Sequence, residues 1–370
     1  MKIKSLVATI AAGLGVSGVA AAAYITTAAT NALPAPPAAL PDPLAPLFAA
    51  NQGETRAAML VEDGRIVASR YARGYSNDTR FISWSMAKSV TAMLIGELVA
   101  DGRLSLDAPA PIAEWHKPGD PRGAITLRHL LHMASGLKHI EVGEPIEASD
   151  TNQVLFVGGT GAMAARAIAQ PLEAKPGEKY RYSSLTTIIL SEIITRTLTH
   201  SRDPHVRARA YRDFEYARLF TPAGITTAFP EFDGAGTQIG GSLIHMSLPD
   251  YARLGGLLLD GRAADGTQVV TPEWLAFMKA ASPTNAEYGG QLWLNRPGGV
   301  RPIPELFPGK GPETLVSMIG HLGQYVMAFE GRGADGQPHR YVLVRLGKTQ
   351  DDALDPVRRQ LGDVVARLAR

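Results

Sequence analysis

The sequence predicts an α+β fold. One antiparallel sheet is built from strands at both ends of the chain and flanked by helices, with a mainly helical lobe inserted between them. Three observations carry this. Early in the chain, Arg56–Val61 and Arg65–Tyr71 are short apolar-rich runs on either side of Asp63-Gly64, a pair that favours a tight hairpin turn. Late in the chain, Tyr325–Glu330 and Tyr341–Leu346 form a second pair across the turn-rich stretch Gly331–Pro338. Leu354, Val357, Leu361, Val364 and Leu368 then recur at helical spacing in the closing segment from Asp352 to Arg370. Between these ends Ser85–Val99, Leu127–Met133, Gly161–Ala169 and Thr186–Leu198 read as helices, separated by Gly- and Pro-rich loops. Strands at both ends with helices between them put the two termini in one sheet, and the helical lobe spans about residues 100–225.

The 370 residues suit one large domain or two intimately joined ones. With 45% hydrophobic and 19% charged residues, the chain can bury a substantial core. The formal net charge of +2 is carried by Lys2 and Lys4; residues 1–32 hold no Asp or Glu, so the remainder is neutral. That balance, with no basic run interleaved with aromatics, argues against a nucleic-acid partner. The chain has no cysteine, which excludes disulfides, thiolate metal sites, a cysteine nucleophile and a lipoprotein anchor.

Lys2 and Lys4 precede an uncharged run, Leu6–Ile25, with small residues at Ala20–Ala23 and again at Thr30 and Ala32. Residues 1–32 therefore read as an export signal, which places the protein in the periplasm or outside the cell. The run is also long enough to span a bilayer, so an uncleaved anchor and membrane association through it stay open. Six prolines between Pro34 and Pro46 make 33–46 an extended linker, with the folded body at 47–370. The G-x-G-x-x-G pattern at Gly13–Gly18 lies inside the export segment and lacks the strand–turn–helix setting that a dinucleotide site needs.

Ser85-Met86-Ala87-Lys88 is the sharpest chemical signal. Positions three apart share a helix face, with Cβ atoms roughly 5–6 Å apart. A serine hydroxyl becomes a useful nucleophile when a neighbouring base takes its proton. A lysine serves as that base when burial or nearby positive charge lowers its pKa. A helix start helps, since its positive end disfavours the ammonium. Alone the pattern is weak, because a serine that caps a helix beside an exposed lysine gives the same spacing. Ser135-Gly136-Leu137-Lys138 matches it as well, with a glycine inside and no apolar helix following.

Two further clusters add weight. Pro176–Ser184 leads into an apolar helix and places the hydroxyls of Tyr182 and Ser184 on one turn. Gly320-His321-Leu322-Gly323-Gln324 leads into the strand Tyr325–Phe329, where Gly323 allows close approach of a substrate to the backbone. The amide N–H groups of Ser85 and Gln324 can then form an oxyanion hole, and His321 can orient substrate. His129, His132 and His245 show no metal-ligand spacing, so no metal site is expected.

Together the three clusters resemble the motifs of the serine β-lactamase and penicillin-binding superfamily. The likeness is closest to the 6-aminohexanoate-dimer hydrolase group, which has the class C β-lactamase-like fold. It is carried by Ser83–Ser89, Leu130–Leu137, Tyr182–Ser184, Tyr288–Asn295 and Gly320–Tyr325. The resemblance implies that Ser85 is acylated, that Lys88 and Tyr182 move protons, and that the third motif binds the acyl oxygen. Two departures bear on substrate. Ser184 stands where penicillin-recognising members usually carry Asn, and His321 where they often carry Lys. No Glu-x-x-Leu-Asn segment is present either, which speaks against the class A deacylation route.

The expected function is therefore an acyl-enzyme serine hydrolase acting on a small-molecule amide or ester, with no metal or organic cofactor. Within the class the alternatives are a carboxylesterase, a D-amino-acid peptidase or a weak β-lactamase. From another class, a non-catalytic envelope binding protein on the same fold is the rival, and the intact Ser85, Lys88 and Tyr182 argue against it.

Overall fold

The structure, a computed structural model, describes residues 42–49, 53–333, 335–350 and 353–369. The export or anchor segment 1–32 and residues 33–41 of the linker lie outside the described residues. Residues 42–46 do not behave as a linker. Leu44 and Leu47 are buried, and the short 3-10 helix Ala45–Phe48 packs into the core, so the folded body begins earlier than residue 47. Pro46 lies in the first turn of that helix, where no backbone N–H is needed.

Six strands form the main antiparallel sheet, in the order β2 (Arg65–Tyr71), β1 (Thr55–Glu62), β9 (Pro338–Gly347), β8 (Gln324–Arg332), β7 (Val316–Gly320) and β6 (Trp293–Leu294). The two terminal hairpins meet where β1 pairs with β9, Met59 opposite Val344, so both ends of the chain do share one sheet. Asp63 and Gly64 have φ of 48° and 78°, the double positive φ that matches a two-residue turn to strand twist. A second, three-stranded sheet joins β3 (Phe81–Ile82), β5 (Ile244–Met246) and β4 (Phe229–Pro230).

Alternate residues of the central strands feed two separate cores. Met59, Val326, Ala328, Val342 and Val344 face the larger one, with α1 (Ala87–Ala100) and α7 (Leu248–Asp260). Leu60, Tyr325, Met327, Phe329 and Leu343 face the smaller one, under the closing helix α9 (Leu354–Leu368). Because both faces are covered, β8 reads as a near-continuous apolar run rather than an alternating one. Helix α1 is buried on all sides from Ala87 to Leu98. The inserted lobe contributes α2 (Leu127–Leu131), α3 (Asp150–Asn152), α4 (Met163–Ile168), α5 (Ser184–Leu198) and α6 (Pro204–Glu215), and α8 (Pro272–Lys279) follows α7. No helix among the described residues is long and apolar enough to cross a membrane.

One buried group sets a pH limit on this fold. Glu215, at the end of α6, is fully buried, and neither carboxyl oxygen has a partner among the described residues. Burial pushes its carboxyl up to about 8, against a smaller opposing pull from Arg212. The folded state therefore holds a proton that the unfolded state releases between pH 4.5 and about 8, so this group makes stability fall as pH rises through that window. The slope is about 1.4 kcal/mol per pH unit while only the folded form is protonated. Glu215→Gln should flatten the fall, read from urea unfolding at several pH values; parallel curves for parent and variant would refute this account.

Candidate active site

Three parts of the chain converge on Ser85: the turn that opens α1, the start of α5 and the end of β7. The 3-10 turn Trp84–Met86 carries the serine. Trp84 takes φ of 44°, a left-handed conformation that a bulky side chain adopts only when its surroundings enforce it. The small sheet supplies that constraint. Ser83 N donates to Ile244 O at 2.8 Å, Ile244 N donates to Ser83 Oγ at 3.1 Å, and Ser83 Oγ donates to Ser242 O at 3.1 Å.

Lys88, on the first turn of α1, is buried and reaches back to the serine. Its Nζ lies 3.0 Å from Ser85 Oγ, 2.9 Å from Ser184 Oγ and 2.8 Å from the Gly241 carbonyl oxygen. All three partners are neutral. Burial pulls the ammonium down to about 8, with the Glu141 carboxylate pulling it back up. The Tyr182 ring lies 5.0 Å from Nζ and is held by stacking on Trp293 at 5.6 Å and edge contact with Tyr288 at 5.8 Å. Burial and the Glu141 charge push the Tyr182 hydroxyl well above its ordinary value, while the neighbouring Ser85 hydroxyl opposes them. Tyr182 thus stays protonated and available as a donor.

Ser183 caps α5 by accepting from Thr186 N at 3.0 Å, which leaves Ser184 in the first helical position with its own N–H free of the helix. That N–H donates to Glu141 Oε2 at 2.8 Å, and Ser184 Oγ donates to Glu141 Oε1 at 2.6 Å. His139 Nε2 and Thr151 Oγ1 contact Oε2 at 2.6 and 2.8 Å. Burial works to raise the Glu141 carboxyl, but His139, Lys88 and Ser184 outweigh it and hold it at about 2. Neither Glu141 nor His139 was legible in the sequence. They sit in an aperiodic loop, and the hint available was that the loop directly follows Leu130–Leu137.

The third segment forms the turn from β7 into β8. Gln324 turns its side chain away from the cleft, donating to Gly347 O at 2.7 Å and accepting from Gly347 N at 3.0 Å, and its backbone closes the hairpin opposite Gly320. Gly323 has φ of 78° and packs against Arg345, which donates to its carbonyl at 2.6 Å. Gly323 and Gln324 therefore serve the turn. At Gly320 a Cβ would collide with the Ser83 carbonyl oxygen, so this glycine lets the end of β7 pack against the turn that carries Ser85. His321 is exposed and stands edge-on to Trp84 at 5.3 Å. The structure thus brings together Ser85, Lys88, Tyr182 and Ser184, sets His321 at the rim and places Gly323 in the turn and Gln324 at the start of β8.

Phe156 contacts Trp84 at 6.4 Å, and Phe156 and Val157 are each 58% exposed, giving the rim an apolar side. The second S-x-x-K match lies in a turn, with Gly136 at φ of 77°, so Ser135 and Lys138 share no helix face. Of the other histidines, His132 stacks on Phe277 at 4.9 Å and His245 pairs with Glu231 at 2.7 Å. Among the described residues no group of three or more His, Asp or Glu is arranged to hold a metal ion.

A family model described as Beta-lactamase matches residues 45–363. The 6-aminohexanoate-dimer hydrolase of Paenarthrobacter ureafaciens is 24% identical over 240 residues, covering 63% of this chain and 59% of that protein, so the match spans less than two thirds of the relative's length. A candidate 6-aminohexanoate-dimer hydrolase from Bacillus anthracis superposes with a TM-score of 0.64 at 18% identity, over 85% of this chain and 79% of that one. A family VIII carboxylesterase does so with a TM-score of 0.59 at 14% identity, over 87% and 96%. At these identities the solved structures speak for the fold, which is β-lactamase-like.

Proposed function

The chain belongs to the beta-lactamase family, and on that premise we propose that it is a serine hydrolase cleaving an amide or ester bond through an acyl-enzyme at Ser85. The observation that carries the reading is the approach of buried Lys88 Nζ to within 3.0 Å of Ser85 Oγ, with neutral groups alone in contact with that nitrogen. Ser85 Oγ attacks the substrate carbonyl as Lys88 takes its proton. Tyr182 passes a proton to the leaving group, and water then releases the acyl group. The Ser85 amide receives the developing oxyanion, and the facing donor comes from the Gly320–His321 end of β7, which lies against Ser83 and Trp84.

The substrate is an amide or ester, of the kind that the name 6-aminohexanoate-dimer hydrolase suggests for amides and family VIII carboxylesterase for esters. Two features favour this over a β-lactam. Ser184 and His321 replace the Asn and Lys expected of penicillin-recognising sites, and the rim beside Trp84 is apolar. Arg301, a cation whose charge bears on Tyr182, is already paired with Glu305.

A panel of amide, ester and β-lactam substrates, with Ser85→Ala as blank, tests the proposal. Turnover of an amide or ester should rise with pH through about 8, since Lys88 acts as the neutral amine. A β-lactam turned over faster than every amide and ester would overturn the substrate reading. Turnover that survives in Ser85→Ala would overturn the mechanism.

A further inference from the structure

We infer that Glu141 is a positioning residue of this reaction, claiming the single proton of the Ser184 hydroxyl and thereby turning the lone pair of neutral Lys88 toward Ser85. The inference rests on the proposed roles of Ser85 and Lys88, and it follows from counting hydrogens. An ammonium has three N–H groups, whereas the neutral amine that must act as base has two and a lone pair. Three oxygens surround Nζ: Gly241 O, Ser184 Oγ and Ser85 Oγ, at 2.8, 2.9 and 3.0 Å. The Gly241 carbonyl can only accept.

Ser184 Oγ carries one hydrogen, and it lies 2.6 Å from Glu141 Oε1, an oxygen with no hydrogen to offer. That hydrogen is therefore spent on Glu141, and toward Lys88 the Ser184 oxygen can only accept as well. Both N–H groups of the neutral amine are then committed. The lone pair is left facing Ser85 Oγ, so the Ser85 hydroxyl donates to it, which is the arrangement that proton removal needs. Without the carboxylate, Ser184 would be free to donate to Nζ, and the lone pair would be occupied away from the nucleophile. When the Ser85 O–H bond breaks and the third N–H bond forms on Lys88, all three N–H groups find acceptors already in place.

The carboxylate is itself tightly held. Oε2 takes Ser184 N, Thr151 Oγ1 and His139 Nε2, the last from a buried imidazole whose Nδ1 lies 3.9 Å from Asp150. Asp150 in turn has Arg166 at 3.7 Å. The titratable groups that face Glu141 are therefore Lys88 from α1, His139 from its own loop, and Tyr182 and Tyr288 across the cleft, with Asp150 and Arg166 behind.

Glu141→Gln keeps the shape and removes the charge, and its test is the rate of Ser85 phosphonylation by a fluorophosphonate probe, with fluoride leaving, followed against pH alongside kcat and KM for the best substrate. The expected plateau rate falls by roughly 10²-fold, at the lower end of what a mispositioned acid–base group costs, with KM little changed. The midpoint of the acidic limb should also move to lower pH, because the carboxylate that favours the Lys88 ammonium is gone. Glu141→Asp should return the midpoint toward the parent value. Since Glu141 acts through Ser184, the pair Glu141→Gln/Ser184→Ala should be no slower than the slower single variant. A folded Gln variant, checked by thermal melting, that the probe labels at the parent plateau with an unmoved midpoint would overturn the inference. Should the Gln variant fail to fold, Ser184→Ala carries the test, and a plateau equal to the parent's without the hydroxyl through which Glu141 acts overturns it equally. A parent protein that the probe does not label at Ser85 would instead overturn the proposed function, and the inference with it.

Discussion

Ser85→Ala and Lys88→Ala should each remove nearly all turnover, by roughly 10³-fold or more, and the double variant should be little worse than either. The reason is the shared geometry. With Nζ 3.0 Å from Oγ the two side chains act, on the proposed mechanism, as one proton-transfer unit, so removing either half disables the other. Losing Lys88 leaves the Gly241 carbonyl without its donor and the Glu141 carboxylate without one nearby cation, but His139, Thr151 and Ser184 still hold that carboxylate, so the variant should fold well enough to assay. Tyr182→Phe makes a useful contrast. It keeps the ring packed between Trp293 and Tyr288 and removes only a hydroxyl, so it should slow the reaction by roughly 10²–10⁴-fold without loss of stability. The decisive measurement is single-turnover acylation of the folded Lys88→Ala protein. A rate close to the parent's would remove Lys88 from the mechanism, and the exposed His321 at the rim would be the next base to test.

Truncation before α9 should be as damaging to the fold as those substitutions are to the chemistry. Val357, Leu361, Val364 and Val365 are buried against the face of the sheet that carries Met327, Phe329, Tyr341 and Leu343. Each such side chain contributes about 1.5–3 kcal/mol by burial. Removing four rivals the whole stability of an ordinary domain, about 5–15 kcal/mol. The 3-10 helix Ala45–Phe48 rests on the same core, so the N-terminal end of the body would loosen as well. Circular dichroism and urea unfolding of a chain ending at residue 351 would show it. A truncated protein that is soluble, cooperative and fully active would mean that α9 is not part of the structural core.

The hairpin at Asp63-Gly64, the strand pair around Tyr325 and Tyr341, and the stripe of α9 were all legible because each rests on local periodicity or on turn chemistry. The strands β6 and β7 were missed. Trp293–Leu294 is too short to show alternation, and Val316–Gly320 is buried on both faces apart from Ile319, so neither carries a two-residue period. Helices α6 and α7 were passed over as well. Yet Asp203-Pro204 and Ser247 with Pro249 are N-terminal signals, and Gly261 with φ of 79° ends α7.

For the site, the sequence by itself determined the pair Ser85 and Lys88, since three residues along a helix is a distance that local geometry imposes. It also marked Tyr182 and Ser184 through the helix start that follows them. What only the tertiary structure decided is everything that arrives across long stretches of chain. The Gly241 carbonyl, 153 residues from Lys88, and the Glu141 carboxylate, 43 residues from Ser184, are brought in by loops with no periodic pattern. Which glycine of the third motif packs against the turn that carries Ser85 was decided in the same way. Local spacing favoured Gly323, but the hairpin closes there and Arg345 occupies its far side, so the register of β7 on β8 delivers Gly320 to the Ser83 carbonyl instead. Helical spacing is written in adjacent residues and can be read one turn at a time, whereas register and loop closure are settled by the packing of the whole sheet.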